Sequence, residues 1–167
     1  MNDQVTQALI EPATGDDLEA ILRIELEAFT APWTRKMFEV ELGQNQFGRL
    51  HVARGTAEAE TRPVLGYVCF WIVFDEFRLM NLAVAIPARR QGIGGELLRH
   101  ALAMGRRQGA IQALMEVRAS NATALSLYER TGFFRTAVRR NYYTKPVEDA
   151  VLMEMGLLTD SHVANSE

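Results

Sequence analysis

The fold of this chain is read from Phe77-Arg78-Leu79-Met80-Asn81-Leu82-Ala83-Val84-Ala85-Ile86-Pro87-Ala88-Arg89-Arg90-Gln91-Gly92-Ile93-Gly94-Gly95. Leu79–Val84 is a short, nearly unbroken apolar run, as expected of a strand covered on both faces. Pro87 and the glycines at 92, 94 and 95 end that run. From Ile93 the apolar spacing becomes helical: Ile93, Leu97 and Ala101, and Leu98 with Leu102, lie four apart. Gly109 stops the helix, and Arg106 and Arg107 occupy its last turn, where positive charge suits the dipole. Ile111, Ala113, Met115 and Val117 then alternate as a second strand. The unit is strand, glycine turn, helix, strand.

The turn is built to hold an anion. Glycine permits positive φ and lets backbone amides approach a ligand without an intervening Cβ. The first amides of a helix lack internal partners, and the dipole adds about half a positive charge there. With Arg89 and Arg90 beside them, phosphate is the natural guest, although a tight turn with two solvated arginines has the same spelling. A dinucleotide turn requires G-x-G-x-x-G, and here Leu97 stands at the third glycine position. The lysine of a nucleoside-triphosphate loop is also missing. The turn reads instead as R-x-x-G-x-G.

That signature resembles the acetyl-CoA motif of the GNAT N-acetyltransferase superfamily. Its neighbours strengthen the likeness: Asn81-Leu82-Ala83-Val84 before it, then Glu116-Val117-Arg118-Ala119-Ser120-Asn121 and Ala124-Leu125-Ser126-Leu127-Tyr128-Glu129-Arg130-Thr131-Gly132-Phe133. With Ala31-Pro32-Trp33-Thr34, Arg139-Arg140-Asn141-Tyr142-Tyr143 and Glu148-Asp149-Ala150, these segments are similar to the bacterial ribosomal-protein alanine N-acetyltransferases. The resemblance spans roughly residues 8–157 and is least distinctive over 50–75. It implies an α/β (α+β) fold: one mixed, mostly antiparallel sheet with a splayed parallel strand pair, flanked by about four helices. It implies acetyl-CoA as donor and the N-terminal segment of a small-subunit ribosomal protein as acceptor.

Composition sets the outer bounds. A chain of 167 residues suits one domain with an adequate core, expected over 1–158, with a polar, disordered tail over 159–167. A hydrophobic content of 48% with 23% charged residues places it among ordinary globular proteins, with no run long enough for a membrane helix. The start, Met-Asn-Asp-Gln, lacks the pattern of a signal peptide, and the single cysteine excludes an internal disulfide; both fit a reducing cytoplasm. Cys69, within Val68-Cys69-Phe70-Trp71, reads as a packed core thiol rather than a nucleophile. A net charge of −3 argues against general nucleic-acid binding. His51, His100 and His162 have no metal-ligand spacing, so no metal is expected.

Outward from the central unit, residues 6–11 read as a first strand, and Thr14-Gly15-Asp16-Asp17 as a helix start. Leu18, Ile21, Leu22 and Phe29 mark that helix's buried stripe. Glu25 falls on the same stripe, either as an edge glutamate with its head in water, the simpler reading, or as a carboxylate lining the substrate mouth. Pro32-Trp33 breaks the chain, and Thr34 caps a helix to about Leu42. Residues 47–54 and 64–73 read as antiparallel strands joined by the loop Gly55–Arg62. Asn121 opens a helix with Ala124, Leu125 and Tyr128 on one face, ended by Gly132. Phe133–Arg140 and Ala150–Leu157 complete the sheet, joined by the loop Asn141–Asp149.

Acetyl transfer needs a positioned thioester, a neutral amine, an oxyanion donor and an acid for the departing thiolate. A free α-amine has a pKa of about 7.7–8.0, so a carboxylate working through water suffices as base. Glu116 is the candidate base, and from spacing alone a solvent-facing strand glutamate is equally compatible. Tyr128 is the candidate acid, by resemblance, and its ring is free to pack while its hydroxyl reaches the site. The resemblance assigns donor contacts to Leu82, Ala83 and Val84, whose backbone pairs with the pantetheine arm and supplies the oxyanion amide. It assigns the pyrophosphate to Arg89, Arg90, Gln91, Gly92, Ile93, Gly94 and Gly95. Asn121 is a helix cap or a CoA contact. Trp33, Tyr142 and Tyr143 contact the acceptor or simply pack. Pro87 follows Val84 by three residues where the family usually has two, which leaves the local turn conformation open.

Overall fold

The computed structural model describes residues 8–56 and 62–157. The start of the expected first strand, the middle of the 55–62 loop, the expected tail and His162 lie outside the described residues. Seven strands form one sheet: β1 (Ala8–Pro12), β2 (Gly48–Gly55), β3 (Val64–Val73), β4 (Glu76–Val84), β5 (Gln112–Arg118), β6 (Phe134–Thr144) and β7 (Val147–Gly156). Their order is β1-β2-β3-β4-β5-β7-β6. The helices are α1 (Leu18–Ala28), α2 (Arg35–Gly43), α3 (Ile93–Arg107) and α4 (Ala122–Thr131). β1 pairs antiparallel with β2, and β7 antiparallel with both β5 and β6. β4 and β5 are parallel, and their register covers Glu76–Arg78 against Gln112–Leu114 while both strands run on beyond it. This is the mixed, mostly antiparallel sheet that the family resemblance implies.

The chain divides into two compact units, one from the stretch up to Cys69 with Asn81–His100, the other from Phe70–Met80 with the stretch from Ala101. In the first, Leu18, Ile21, Phe38, Val52, Tyr67, Val68 and Leu97 form the core, and Cys69 is sealed, as its apolar neighbours predict. The stripe of α1 differs from expectation. Ile24 is buried, whereas Leu22 is half-buried, and Phe29, also half-buried, leaves the stripe because it follows the helix as an extended C-cap. Thr34 caps α2 as predicted, its hydroxyl accepting from Met37 N.

In the second unit Phe70, Phe77, Ala113, Met115, Val117, Leu125, Phe133 and Met153 are buried. β5 begins at Gln112, leaving Ile111 exposed ahead of it. Gly132 closes α4 at φ 117°, and Phe133 N bonds back to Tyr128 O at 3.0 Å. The expected loop over 141–149 is mostly strand: β6 continues to Thr144 and β7 starts at Val147. Asn141, whose side chain signals a turn, instead sits at φ 53° within a bulge of β6, its N–H held by Asp149 Oδ1 at 2.9 Å.

Candidate active site

The anion turn lies wholly in the first unit. β4 ends at Val84, and a 3-10 turn over Ile86–Ala88 places Pro87 early in that turn, where its missing N–H costs nothing. Ala85 N donates to Leu65 O at 2.8 Å and Arg89 Nε to Val84 O at 3.0 Å, so the turn is tied to the strand ends by its own bonds. Arg90 at φ 62° and Gly92 at φ 82° are both in the left-handed region. A Cβ on Gly92 would meet nothing within 4 Å, so glycine is there for conformation rather than room. The first bond of α3 runs from Glu96 N to Gly92 O at 3.0 Å, leaving the amides of Ile93, Gly94 and Gly95 without intrahelical partners. Arg89, Arg90, Gln91 and Gly92 are exposed. Arg90 has no hydrogen-bond or ion-pair partner among the described residues. Backbone donors, the dipole and a spare guanidinium thus converge on one short segment, an arrangement suited to phosphate. Leu82 and Val84 are half-buried and Ala83 is buried just before it.

The other candidates lie in the second unit. Alternation along β5 buries Met115 and Val117 and sends Glu116 to the open face with Arg118. Glu116 stands opposite Leu152 and Arg118 opposite Ala150 on β7, while Arg139 of β6 faces Ala150 from the other side. The small Ala150 side chain lets Arg139 lean across β7, its Nη1 3.6 Å from Glu116 Oε1. The bulge between Arg139 and Tyr143 turns Tyr142 toward the same carboxylate. Hydrogen bonding to Glu116, then burial, raises the Tyr142 phenol above its ordinary pKa. Burial, with the charge of Glu116, pushes Tyr143 up to about 12. The Arg118 guanidinium sits 4.1 Å above the Tyr143 ring, donates to the carbonyls of Lys145 and Pro146, and pairs with Glu148 at 3.3 Å. Glu148 in turn accepts from Ser120 N at 2.5 Å, fixing the chain just ahead of α4. Glu116 is therefore solvent-facing and also surrounded, by Arg139, Tyr142 and Tyr143.

Tyr128 is on the buried stripe of α4, its ring 6.1 Å from that of Phe133. Burial, with Tyr143 nearby, pushes its phenol up to about 12. Its hydroxyl has no hydrogen-bond partner among the described residues. Asn121 caps α4, Oδ1 accepting from Ala124 N at 3.1 Å, while its Nδ2 has no partner among the described residues.

Glu25 corrects the simpler sequence reading. Its head is not in water: the residue is 1% exposed. Oε1 accepts from Trp33 N at 2.9 Å, Asn81 Nδ2 lies 3.0 Å from both oxygens, and the Tyr67 hydroxyl donates to Oε2. No basic side chain pairs with it among the described residues. Burial outweighs those bonds and raises its pKa. Trp33 is half-buried, its ring 5.3 Å from Phe38, which packs edge-on against Tyr67 at 5.6 Å. The sequence alone gave no role to Tyr67, and Asn81, Arg118 and Arg139 entered it only as parts of motifs. The one available signal was Asn81 itself, a lone amide in an apolar strand that needs a buried partner. Among the described residues no group of three or more His, Cys, Asp or Glu is placed to hold a metal, and no helix is long and apolar enough to cross a membrane.

Comparison with known proteins places the chain in one family and fold. Residues 18–133 match the acetyltransferase (GNAT) family model. The [ribosomal protein bS18]-alanine N-acetyltransferase of Escherichia coli strain K12 is 36% identical over 141 residues, covering 83% of this chain and 90% of that protein. The crystal structure of the E. coli ribosomal-protein-S18-alanine N-acetyltransferase superposes with a TM-score of 0.78 at 33% identity, covering 90% of this chain and 94% of the other. Arabidopsis thaliana NAA60, crystallised with acetyl-CoA, shares the fold with a TM-score of 0.81 at 16% identity, covering 90% and 99% respectively.

Proposed function

The chain belongs to the acetyltransferase (GNAT) family, and from that premise we propose that it acetylates the N-terminal alanine α-amine of a small-subunit ribosomal protein in the cytoplasm. Acetyl-CoA is the donor this family uses, and when bound it supplies the activated acetyl group. The observation that carries the donor reading is the turn at Arg90–Gly95, with its spare guanidinium and three amides lacking intrahelical partners. Arg90 and those amides bind the pyrophosphate, with Arg89 and Gln91 flanking it, and the backbone of Leu82, Ala83 and Val84 holds the pantetheine arm and the acetyl oxygen. The acceptor reading rests on the names of the relatives, which span most of this chain.

The amine attacks directly, in a ternary complex. The sealed Cys69, whose thiol pKa burial pushes well up, is a poor carrier of an acetyl group. Glu116, through water, takes the proton of the incoming amine as the carbon–nitrogen bond forms. Tyr128 keeps its proton throughout the physiological range and gives it to the sulfur as the carbon–sulfur bond breaks. Trp33, Tyr142 and Tyr143 shape the acceptor side, and the free Nδ2 of Asn121 is a donor for CoA. CoA release is measured from acetyl-CoA with a peptide beginning Ala-Arg, the same peptide blocked at its α-amine, and a peptide carrying only a lysine amine. Turnover confined to the free alanine terminus, reduced about 100-fold in Glu116→Gln and in Tyr128→Phe, is the expected result. Turnover on lysine alone would keep the family and overturn the acceptor.

A further inference from the structure

Glu25 offers four short contacts to three different parts of the first unit: the N–H of Trp33 in the α1–α2 link, the hydroxyl of Tyr67 on β3 and the amide of Asn81 on β4. Asn81 immediately precedes Leu82–Val84, and Val84 O in turn anchors Arg89 of the anion turn. We propose that Glu25 is a positioning residue that never touches substrate: its buried carboxylate locks the Trp33 link to the end of β4, so that the acceptor-side wall is held in register with the donor strand. The inference rests on the reading above of Trp33 as acceptor-side and Leu82–Val84 as donor-side.

The three donors favour a carboxylate. Three groups point only donors at the site, and a carboxylate offers acceptors on both oxygens and no donor of its own. Glutamine has one acceptor oxygen, so its NH2 would either meet the Asn81 Nδ2 donor or force the Tyr67 hydroxyl to turn from donor to acceptor, and Glu25→Gln loosens the tie without emptying the space. The anion turn keeps its separate bonds, Ala85 N to Leu65 O and Arg89 Nε to Val84 O. The expected signature is therefore a split between the two substrates.

The test uses the full chain with Glu25→Gln and Tyr67→Phe, the second removing one donor while leaving the carboxylate in place. Two quantities are read: the KM for peptide against that for acetyl-CoA, and amide hydrogen exchange at Trp33. Loss of a charge-assisted bond predicts a peptide KM raised about tenfold or more in Glu25→Gln, with a smaller rise in Tyr67→Phe. The acetyl-CoA KM should stay within about twofold, and Trp33 exchange should quicken in both variants. An unchanged peptide KM, an equal rise in both KM values, or unchanged Trp33 exchange overturns the proposal. Should Glu25→Gln fail to fold, the Tyr67→Phe readings decide alone. Should the acceptor prove to be another amine, its KM replaces that of the peptide, and the exchange measurement tests the tie whatever the reaction.

Discussion

At the scale of single residues, the two arginines of the turn divide their work. Arg89 is turned back onto Val84 O, while Arg90 has no partner among the described residues. On the proposed reading of the turn, replacing Arg90 with alanine removes a charge-assisted contact to phosphate but no bond within the protein. We expect the acetyl-CoA KM to rise about tenfold or more, with the unfolding midpoint unmoved. Arg89→Ala should instead show a loss of stability, because Val84 O loses its donor. Isothermal titration and thermal melts on the two variants separate these outcomes. The pH profile follows from the same residue-level chemistry. In the proposed reaction the α-amine loses a proton whose pKa is about 7.7–8.0, so kcat/KM should climb across that range. Tyr128, at about 12, remains protonated well above it, so no alkaline fall should appear below about pH 10. A descending limb centred between pH 8 and pH 10 would show that Tyr128 is not the acid.

At the scale of elements, the glycine that ends α4 has two constraints at once. Gly132 sits at φ 117°, and a Cβ there would lie 2.9 Å from Met155 Sδ. Gly132→Ala should destabilise by about 2 kcal/mol or more, read from denaturant unfolding, since it adds left-handed strain to overpacking. Gly92→Ala meets open space and should incur the backbone cost alone, about 1–2 kcal/mol, so the order of the two variants tests the account. Elements with strong local signals were legible in the sequence. The apolar run of β4, the four-spaced stripe of α3 and the caps Thr34 and Asn121 all correspond to observed features. Where long-range contacts override local ones, legibility failed. Asn141 spells a turn, but pairing with β7 absorbs it as a bulge. Glu25 looks amphipathic in its own helix, and only the return of the chain at Trp33, Tyr67 and Asn81, 8 to 56 residues away in sequence, explains its burial. The glycine turn at 89–95 was readable because its conformational signals are local. The company of Glu116 was not, since Arg139 and Tyr142 arrive through the register of β7 and a bulge that no local pattern announces.

At the scale of the whole molecule, stability should depend on pH through two buried groups of opposite sign. His51 on β2 is 4% exposed, its Nδ1 lies 3.0 Å from His100 Nε2, and burial, with His100 and Arg49 nearby, lowers its pKa to about 4. The unfolded chain, with an ordinary value near 6.5, therefore binds a proton that the native protein refuses between those two pH values. Stability from this group is complete above pH 6.5 and is lost as the pH falls toward 4, by about 3 kcal/mol in all. Glu25 acts the other way. Its pKa is raised in the native state, so its contribution is greatest below 4.5 and falls as the pH rises through its native value. In His51→Gln, which keeps a hydrogen-bonding group facing His100, the histidine loss disappears and the glutamate gain remains. Urea unfolding at pH 7.5, 5.5 and 4.5 should then show the wild type weakening steadily with acid, while His51→Gln holds level or strengthens over the same interval. Equal slopes in the two proteins would place the acid sensitivity in groups other than the His51–His100 pair.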